Sequence, residues 1–295
     1  MRSYDFETYD VFTDRKFTGN QLAVVMDAQG LSSDEMQIIT REFNLSETTF
    51  ILPPEDPANT ARIRIFTLGY EVPFAGHPTV GTAIAIARAR NLEGDIKLEL
   101  NAGVFPVRID LSGKAAYAEF RNPNLPEETG PAPSAEALEA ALSLPAGAID
   151  RSAHQPRRIG AGVDFVYTHA PLGAVRAAHV NGGAYDALNL EEIVGVFLYA
   201  AGGEAVDVAY HARMFAPNAG ILEDPATGSA AAALPGQIAL SDALEDGGHQ
   251  WVIEQGFEMG RPSRIIATVE TFGGAVKSVR IGGNAAPVQK GQIFI

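Results

Sequence analysis

Two short stretches combine residue types that bind anions. Pro73-Phe74-Ala75-Gly76-His77 and Pro225-Ala226-Thr227-Gly228-Ser229 share a Pro-x-x-Gly-[His/Ser] pattern, and each runs into an alanine-rich segment that reads as a helix. A helix start presents unpaired backbone N–H groups and the positive end of the helix dipole, which together suit a carboxylate or an oxyanion. Gly76 and Gly228 let the backbone approach a ligand closely, and His77 and Ser229 add a side-chain donor in the first turn. Taken singly, each stretch is more simply a helix cap. A third candidate is Glu47, in Asn44-Leu45-Ser46-Glu47-Thr48-Thr49 at the junction of a helix and a strand, although most glutamates are only solvated. Asp224, just before Pro225, equally suits a turn.

Other chemistries find no support. The chain has no cysteine, which removes disulfides, thiolate nucleophiles and Cys-type metal sites. His154, His169, His179, His211 and His249 are scattered with no pair at ligand spacing, so no metal is expected. Ser229 lacks the Gly-x-Ser-x-Gly setting of hydrolases, and neither a Gly-x-x-x-x-Gly-Lys loop nor a Gly-x-Gly-x-x-Gly turn is present. A nucleotide or dinucleotide cofactor is therefore not expected. The net charge of −14 and a pI near 4.8 work against nucleic-acid or anionic-membrane partners but allow a small acidic metabolite at a helix start. With no signal-like start and no long apolar run, a cytoplasmic location is the expectation.

Certain elements must position these residues. At 295 residues and 46% hydrophobic, the chain is long enough for two domains or one large one. The segment around Tyr9-Asp10-Val11-Phe12 alternates, then turns through Thr18-Gly19-Asn20 into a second strand over 22–26. Ser32 and Glu35 form a capping box for a helix whose Met36, Ile39 and Phe43 share one face and which ends near Asn44. Strands are expected over 48–52, 62–66, 96–100, 105–111 and 115–121, with a buried helix over 79–90. The Pro- and Glu-rich stretch 122–133 reads as a linker. Helices are then expected over 135–144 and, opened by Asn189 with Glu192, over 190–201, followed by strands over 206–215. Pro235 is expected to kink or end the helix after Ser229, and 251–295 reads as strands with Gly-rich turns. The pattern is α+β with mixed or antiparallel sheets. Both halves contain a strand ending in Phe66 or Phe215, a loop and a small-residue helix, a comparison that leaves internal duplication open.

Longer motifs resemble one family. Asp10-Val11-Phe12-Thr13 through Gly19-Asn20-Gln21-Leu22-Ala23-Val24-Val25, Asn44 to Phe50, Phe74 to Thr82, and Glu223 to Ala231 stand in the order found in PhzF-like isomerases of phenazine biosynthesis. Gln255-Gly256 and Met259-Gly260-Arg261-Pro262-Ser263 add to the likeness, which covers almost the whole chain. The resemblance implies the diaminopimelate-epimerase-like fold, with two pseudo-symmetric lobes, each a curled sheet around a central helix, and the active site between them. The lobes are expected at 1–120 and 121–283, with a last strand at about 284–295 returning to the first.

The resemblance also implies that Glu47 is the acid/base and that His77, Asp224 and Ser229, with Gly76, Gly228, Thr227 and Asn20, bind the substrate. It implies a homodimer, no cofactor, and a substrate of the dihydro-hydroxyanthranilic acid type. Epimerase relatives use a cysteine at each helix start, where this chain has Ala75 and Thr227, neither able to shuttle a proton. A one-base proton shift therefore fits better than two-base racemisation. An amino-acid epimerase using Asp224 as a second acid, and a binding protein without catalysis, are the alternatives. Leu68-Gly69-Tyr70 and Pro235-Gly236 depart from the family pattern.

Overall fold

Ser32 starts the first helix as its pattern demands. Its hydroxyl accepts from the Glu35 backbone N–H, Glu35 reaches back to the Ser32 N–H, and Asn44 closes the helix in the left-handed conformation. In the computed structural model, which describes residues 1–190 and 192–295, this helix is α1 (Ser33–Phe43). It follows β1 (Ser3–Val11) and β2 (Asn20–Val25) and precedes β3 (Glu47–Leu52), β4 (Ala61–Thr67) and β5 (Glu71–Val72). Next come α2 (Gly76–Arg90), β6 (Gly94–Leu100), β7 (Gly103–Asp110) and β8 (Ala116–Arg121).

The chain then continues through β9 (Glu127–Gly130), α3 (Ala135–Ala141), β10 (Arg157–Gly160), β11 (Asp164–His169), α4 (Leu172–Ala177) and α5 (Gly182–Asp186). It ends with β12 (Gly195–Ala201), β13 (Tyr210–Ala216), β14 (Ile221–Asp224), α6 (Gly228–Ser241), β15 (Gly247–Gln255), β16 (Ser263–Phe272) and β17 (Ala275–Phe294). Two compact units result: Met1–Arg121 with Gly282–Ile295, and Asn122–Ile281.

In the first unit, β1 pairs antiparallel with β2, β2 parallel with β3, and β3 antiparallel with β4. Strand β4 pairs antiparallel with β5 and parallel with β6, and β6 antiparallel with β7. In the second unit the same series of pairings runs through β10, β11, β12, β13, β14, β15 and β16. The repeat left open by the sequence is thus a repeat of strand connectivity. Each unit sets one apolar helix against its strands: α2 touches β1, β2, β3, β7 and β8, and α6 touches β9, β10, β11 and β16. Twelve residues of α2 are buried on every side, because a helix enclosed by a curled sheet has no wet face. Outside the sheets, α1 covers Phe50 and Phe66, while Leu138, Val175 and Tyr185 from α3, α4 and α5 cover Val166, Leu198 and Phe215.

Two expectations need correction, and a third, at Pro235, is narrowed. The helix expected over 190–201, whose Glu191 lies outside the described residues, is replaced over Gly195–Ala201 by strand β12. Asn189 has φ 53°, a left-handed conformation unsuited to an N-cap, and the apolar run is a strand buried between a parallel and an antiparallel neighbour. Strand β9, paired antiparallel with β10, occupies part of the supposed linker 122–133; its mostly exposed, polar residues carry no strand pattern.

Pro235 does not end its helix, which continues to Ser241. Tyr167, fully buried, donates its hydroxyl to the Ala230 carbonyl at 2.6 Å in the turn before the proline. A Cβ on Gly236 would lie 2.8 Å from Pro126 Cβ, so Pro235-Gly236 marks a close approach of helix to chain. Tyr167→Phe, which removes this hydrogen bond without changing volume much, is expected to lower unfolding free energy by about 1 kcal/mol in urea titration.

Candidate functional site

Glu47 is the first residue of β3 and pairs in parallel register with Leu22, two residues after Asn20 at the start of β2. His77 lies in the first turn of α2 and is 4% exposed. The tight turn before β2 needs Gly19, whose φ is +69° and where a Cβ would lie 2.4 Å from the Val11 carbonyl oxygen. These elements bring Asn20, Ser46, Glu47 and His77 together. Ser46 Oγ donates to Asn20 Oδ1 at 3.4 Å, which turns the Asn20 amide nitrogen to donate to His77 Nδ1 at 3.2 Å. With Nδ1 accepting, the neutral ring carries its proton on Nε2, which lies 3.6 Å from Glu47 Oε2.

The Glu47 side chain is 14% exposed, and its Oε2 has no hydrogen-bond partner among the described residues. Burial pushes its pKa from the ordinary 4.5 up to about 7, against a smaller opposing effect of the Ser46 hydrogen bond. A carboxylate with that pKa is ready both to take and to return a proton near neutrality.

In the second unit, Asp224 ends β14 and is 6% exposed. Thr227 Oγ1 donates to Asp224 Oδ2 at 2.5 Å. Gln255 Nε2 donates to the Asp224 carbonyl at 2.7 Å and to Thr227 Oγ1 at 2.9 Å, and Gln255 Oε1 accepts from the Thr227 N–H at 3.1 Å. Ser263 Oγ donates to the Pro225 carbonyl at 2.9 Å. The loop before α6 is therefore tied to β15 and β16, and Gly228 and partly exposed Ser229 follow it in the first turn.

Ala75 and Thr227 occupy equivalent N-cap positions, and neither caps its helix with a side chain: alanine has no polar atom, and Thr227 is engaged with Asp224. Sequence reasoning named Asn20 and Thr227 without seeing that their side chains serve His77 and Asp224. It missed Ser46 and Gln255 as supports, which only contact reveals. His154 and His169, 15 residues apart, lie with ring centroids 4.8 Å apart and planes tilted by 36°, yet among the described residues no group of three or more His, Asp or Glu side chains is placed to hold a metal ion.

A family model described as phenazine biosynthesis-like protein (PhzC-PhzF) matches residues 9–291. An uncharacterized isomerase of Mesorhizobium japonicum is 44% identical, with 100% of both chains covered. A trans-2,3-dihydro-3-hydroxyanthranilate isomerase of Pseudomonas aeruginosa is 36% identical over 97% of this chain and 98% of that one. The crystal structure of a Bacillus anthracis PhzF-family phenazine biosynthesis protein superposes with a TM-score of 0.90 at 26% identity, covering 100% of each chain. The architecture is that of the diaminopimelate-epimerase-like fold. With the family motifs, the connectivity and the relatives in agreement over nearly the whole chain, the protein belongs to the PhzC-PhzF family and is an isomerase.

Proposed function

We propose that the protein shifts a proton on a small unsaturated carboxylic acid of the dihydro-hydroxyanthranilate type, without a cofactor and with Glu47 as the single acid/base. The observation that carries this reading is a buried Glu47 whose pKa is raised to about 7 beside the His77 ring. The Glu47 carboxylate takes a proton from an acidic C–H, and the electron pair left behind spreads over the conjugated carboxylic acid. Protonated Glu47 then returns the proton to another carbon of the same system, so protons and electrons balance with no second base. His77 is proposed to steady the substrate and the negative charge beside Glu47, in the tautomer set by Asn20. Gly76, Gly228, Thr227, Asp224 and Ser229 are proposed as substrate contacts, since uncapped helix-start N–H groups suit an acid function.

Ala75 and Thr227 at the N-cap positions support one-base chemistry, since neither side chain can serve as a second acid. The proposal extends to a cytoplasmic homodimer acting on a small acidic metabolite, with no nucleic-acid or membrane partner. Among the described residues, no helix is long and apolar enough to cross a membrane.

The test is incubation with trans-2,3-dihydro-3-hydroxyanthranilic acid in deuterated buffer, followed by proton NMR. Conversion in which the ring position that gains a proton carries either the hydrogen removed from the substrate or, where protonated Glu47 exchanges with solvent first, deuterium at that position alone supports the reading. No conversion sinks the substrate assignment, and exchange at a stereocentre with loss of optical rotation would replace it with epimerisation. The pH profile gives a second expected result. Proton abstraction requires ionised Glu47, so kcat/KM is expected to rise with pH through an apparent pKa near 7 and to level off above it.

A further inference from the structure

The two units repeat a side-chain device as well as strand order. On β4, Arg64 forms a two-pronged pair with Glu71, Nε to Oε1 at 2.7 Å and Nη2 to Oε2 at 2.5 Å. On β13, Arg213 does the same with Glu223 at 2.8 and 2.7 Å. Each guanidinium also lies over the phenylalanine two residues on, at 5.1 Å from the Phe66 ring centre and 4.9 Å from that of Phe215. Each arginine has a further anchor on an earlier helix or its end: Arg64 Nη2 donates to Ser33 Oγ of α1 at 2.9 Å, and Arg213 Nη1 to the carbonyl of Ala178 at 2.6 Å, just past the end of α4.

The spacing shows what the device holds. Seven residues separate Arg64 from Glu71 and ten separate Arg213 from Glu223, the extra length forming a short 3-10 turn, Pro217–Ala219. From glutamate to the first helical glycine the interval is five residues in both units, Glu71 to Gly76 and Glu223 to Gly228. The loop between the paired residues is free to vary, while the tether to the helix start keeps its length. We propose that Arg64–Glu71 and Arg213–Glu223 are paired positioning devices for the two helix starts, the first setting His77 against Glu47 and the second setting Asp224 and Thr227. Planar forks suit this task because two parallel hydrogen bonds fix orientation as well as distance. Asn101 Nδ2 adds a donor to Glu71 at 2.8 Å, and Glu258 lies 3.8 Å from Arg213, so both forks are buttressed by the strand or loop beyond.

The kinetic arm of the test rests on the isomerase reading; the exchange arm does not. Amide hydrogen–deuterium exchange is measured by mass spectrometry on full-length wild type, Glu71→Gln and Glu223→Gln, with steady-state kinetics alongside. Glu223→Gln is expected to speed exchange about tenfold over 224–229 and to leave 73–79 unchanged, and Glu71→Gln to do the reverse. Glu71→Gln is expected to lower kcat about tenfold and to move the apparent pKa of kcat/KM, because His77 shifts against Glu47. Glu223→Gln is expected to raise KM about tenfold with that pKa unmoved.

Exchange that rises evenly through a whole unit, or stays unchanged at the helix starts, overturns the proposal. If wild type does not turn the substrate over, the isomerase reading fails while the exchange pattern still decides the role of the forks. Should either variant fail to fold, Arg64→Lys and Arg213→Lys, which keep the charge and lose the fork, are measured in the same way.

Discussion

Glu47→Gln is expected to lower kcat by ~10²-fold or more while raising stability at neutral and alkaline pH. Gln has nearly the shape of Glu and keeps a polar end toward Ser46 and His77, but it takes up no proton from a C–H acid. The stability change follows from the raised pKa. In the unfolded chain Glu47 ionises near its ordinary 4.5, whereas in the folded protein it holds its proton up to about 7. Below pH 4.5 the group is neutral in both states and contributes nothing. As pH rises from 4.5 to 7 the unfolded chain loses the proton first, so the folded state loses stability, and the penalty is constant above 7.

At about 1.4 kcal/mol per pKa unit, the wild type bears a cost of about 3 kcal/mol at pH 8 that Gln removes. Urea titration of both proteins at pH 4.5 and pH 8 measures it. The variant should gain at pH 8 and not at pH 4.5, alongside the loss of turnover. Equal stability at both pH values would mean that Glu47 is not held in the site as a buried acid.

The second large effect is expected at Gly256. This residue has φ +78°, and a Cβ there would stand 2.5 Å from the Arg261 carbonyl oxygen and 2.6 Å from that of Pro225. Both are backbone atoms, the second in the Asp224–Thr227 loop itself and both bonded by Ser263 Oγ, so no side-chain rotation relieves the clash. Gly256→Ala is therefore expected to cost about 3 kcal/mol, from left-handed strain and overpacking together, and to raise KM as the loop shifts. Gly274→Ala is the control. Gly274 has a similar φ of +72° with nothing within 4 Å of the added carbon, so only about 1 kcal/mol of strain is expected. Equal losses in the two variants would show that the crowding at Gly256 has no consequence.

Periodicity and capping chemistry were legible wherever local and tertiary preferences agree. Ser32 and Glu35 specified the start of α1, and the alternation of Arg62, Ile63, Arg64 and Ile65 specified β4. Legibility failed where one pattern serves two structures. The run Gly195–Ala201 is apolar enough for a buried helix or a buried strand, and only its pairing with β11 and β13 decides between them. Strand β9, polar and exposed, is a strand solely because β10 lies beside it. Between 145 and 189 the elements are short and carry no pattern of their own.

The site divides in the same way. By itself the sequence determined which residue types are at hand: a glutamate at a helix–strand junction, two glycine-led helix starts without cysteine, and the motifs that tie them to one family. Those are properties of residue identity and order along the chain. Tertiary structure decided that Glu47 is buried and that its pKa rises to about 7, because desolvation depends on what other segments exclude water. It decided as well that Ser46 and Asn20 orient His77, that Gln255 locks Thr227 to Asp224, and that each arginine fork meets its glutamate. Hydrogen bonds between residues far apart in the chain are made only once folding has brought both ends together, and no spacing along a single strand or helix encodes them.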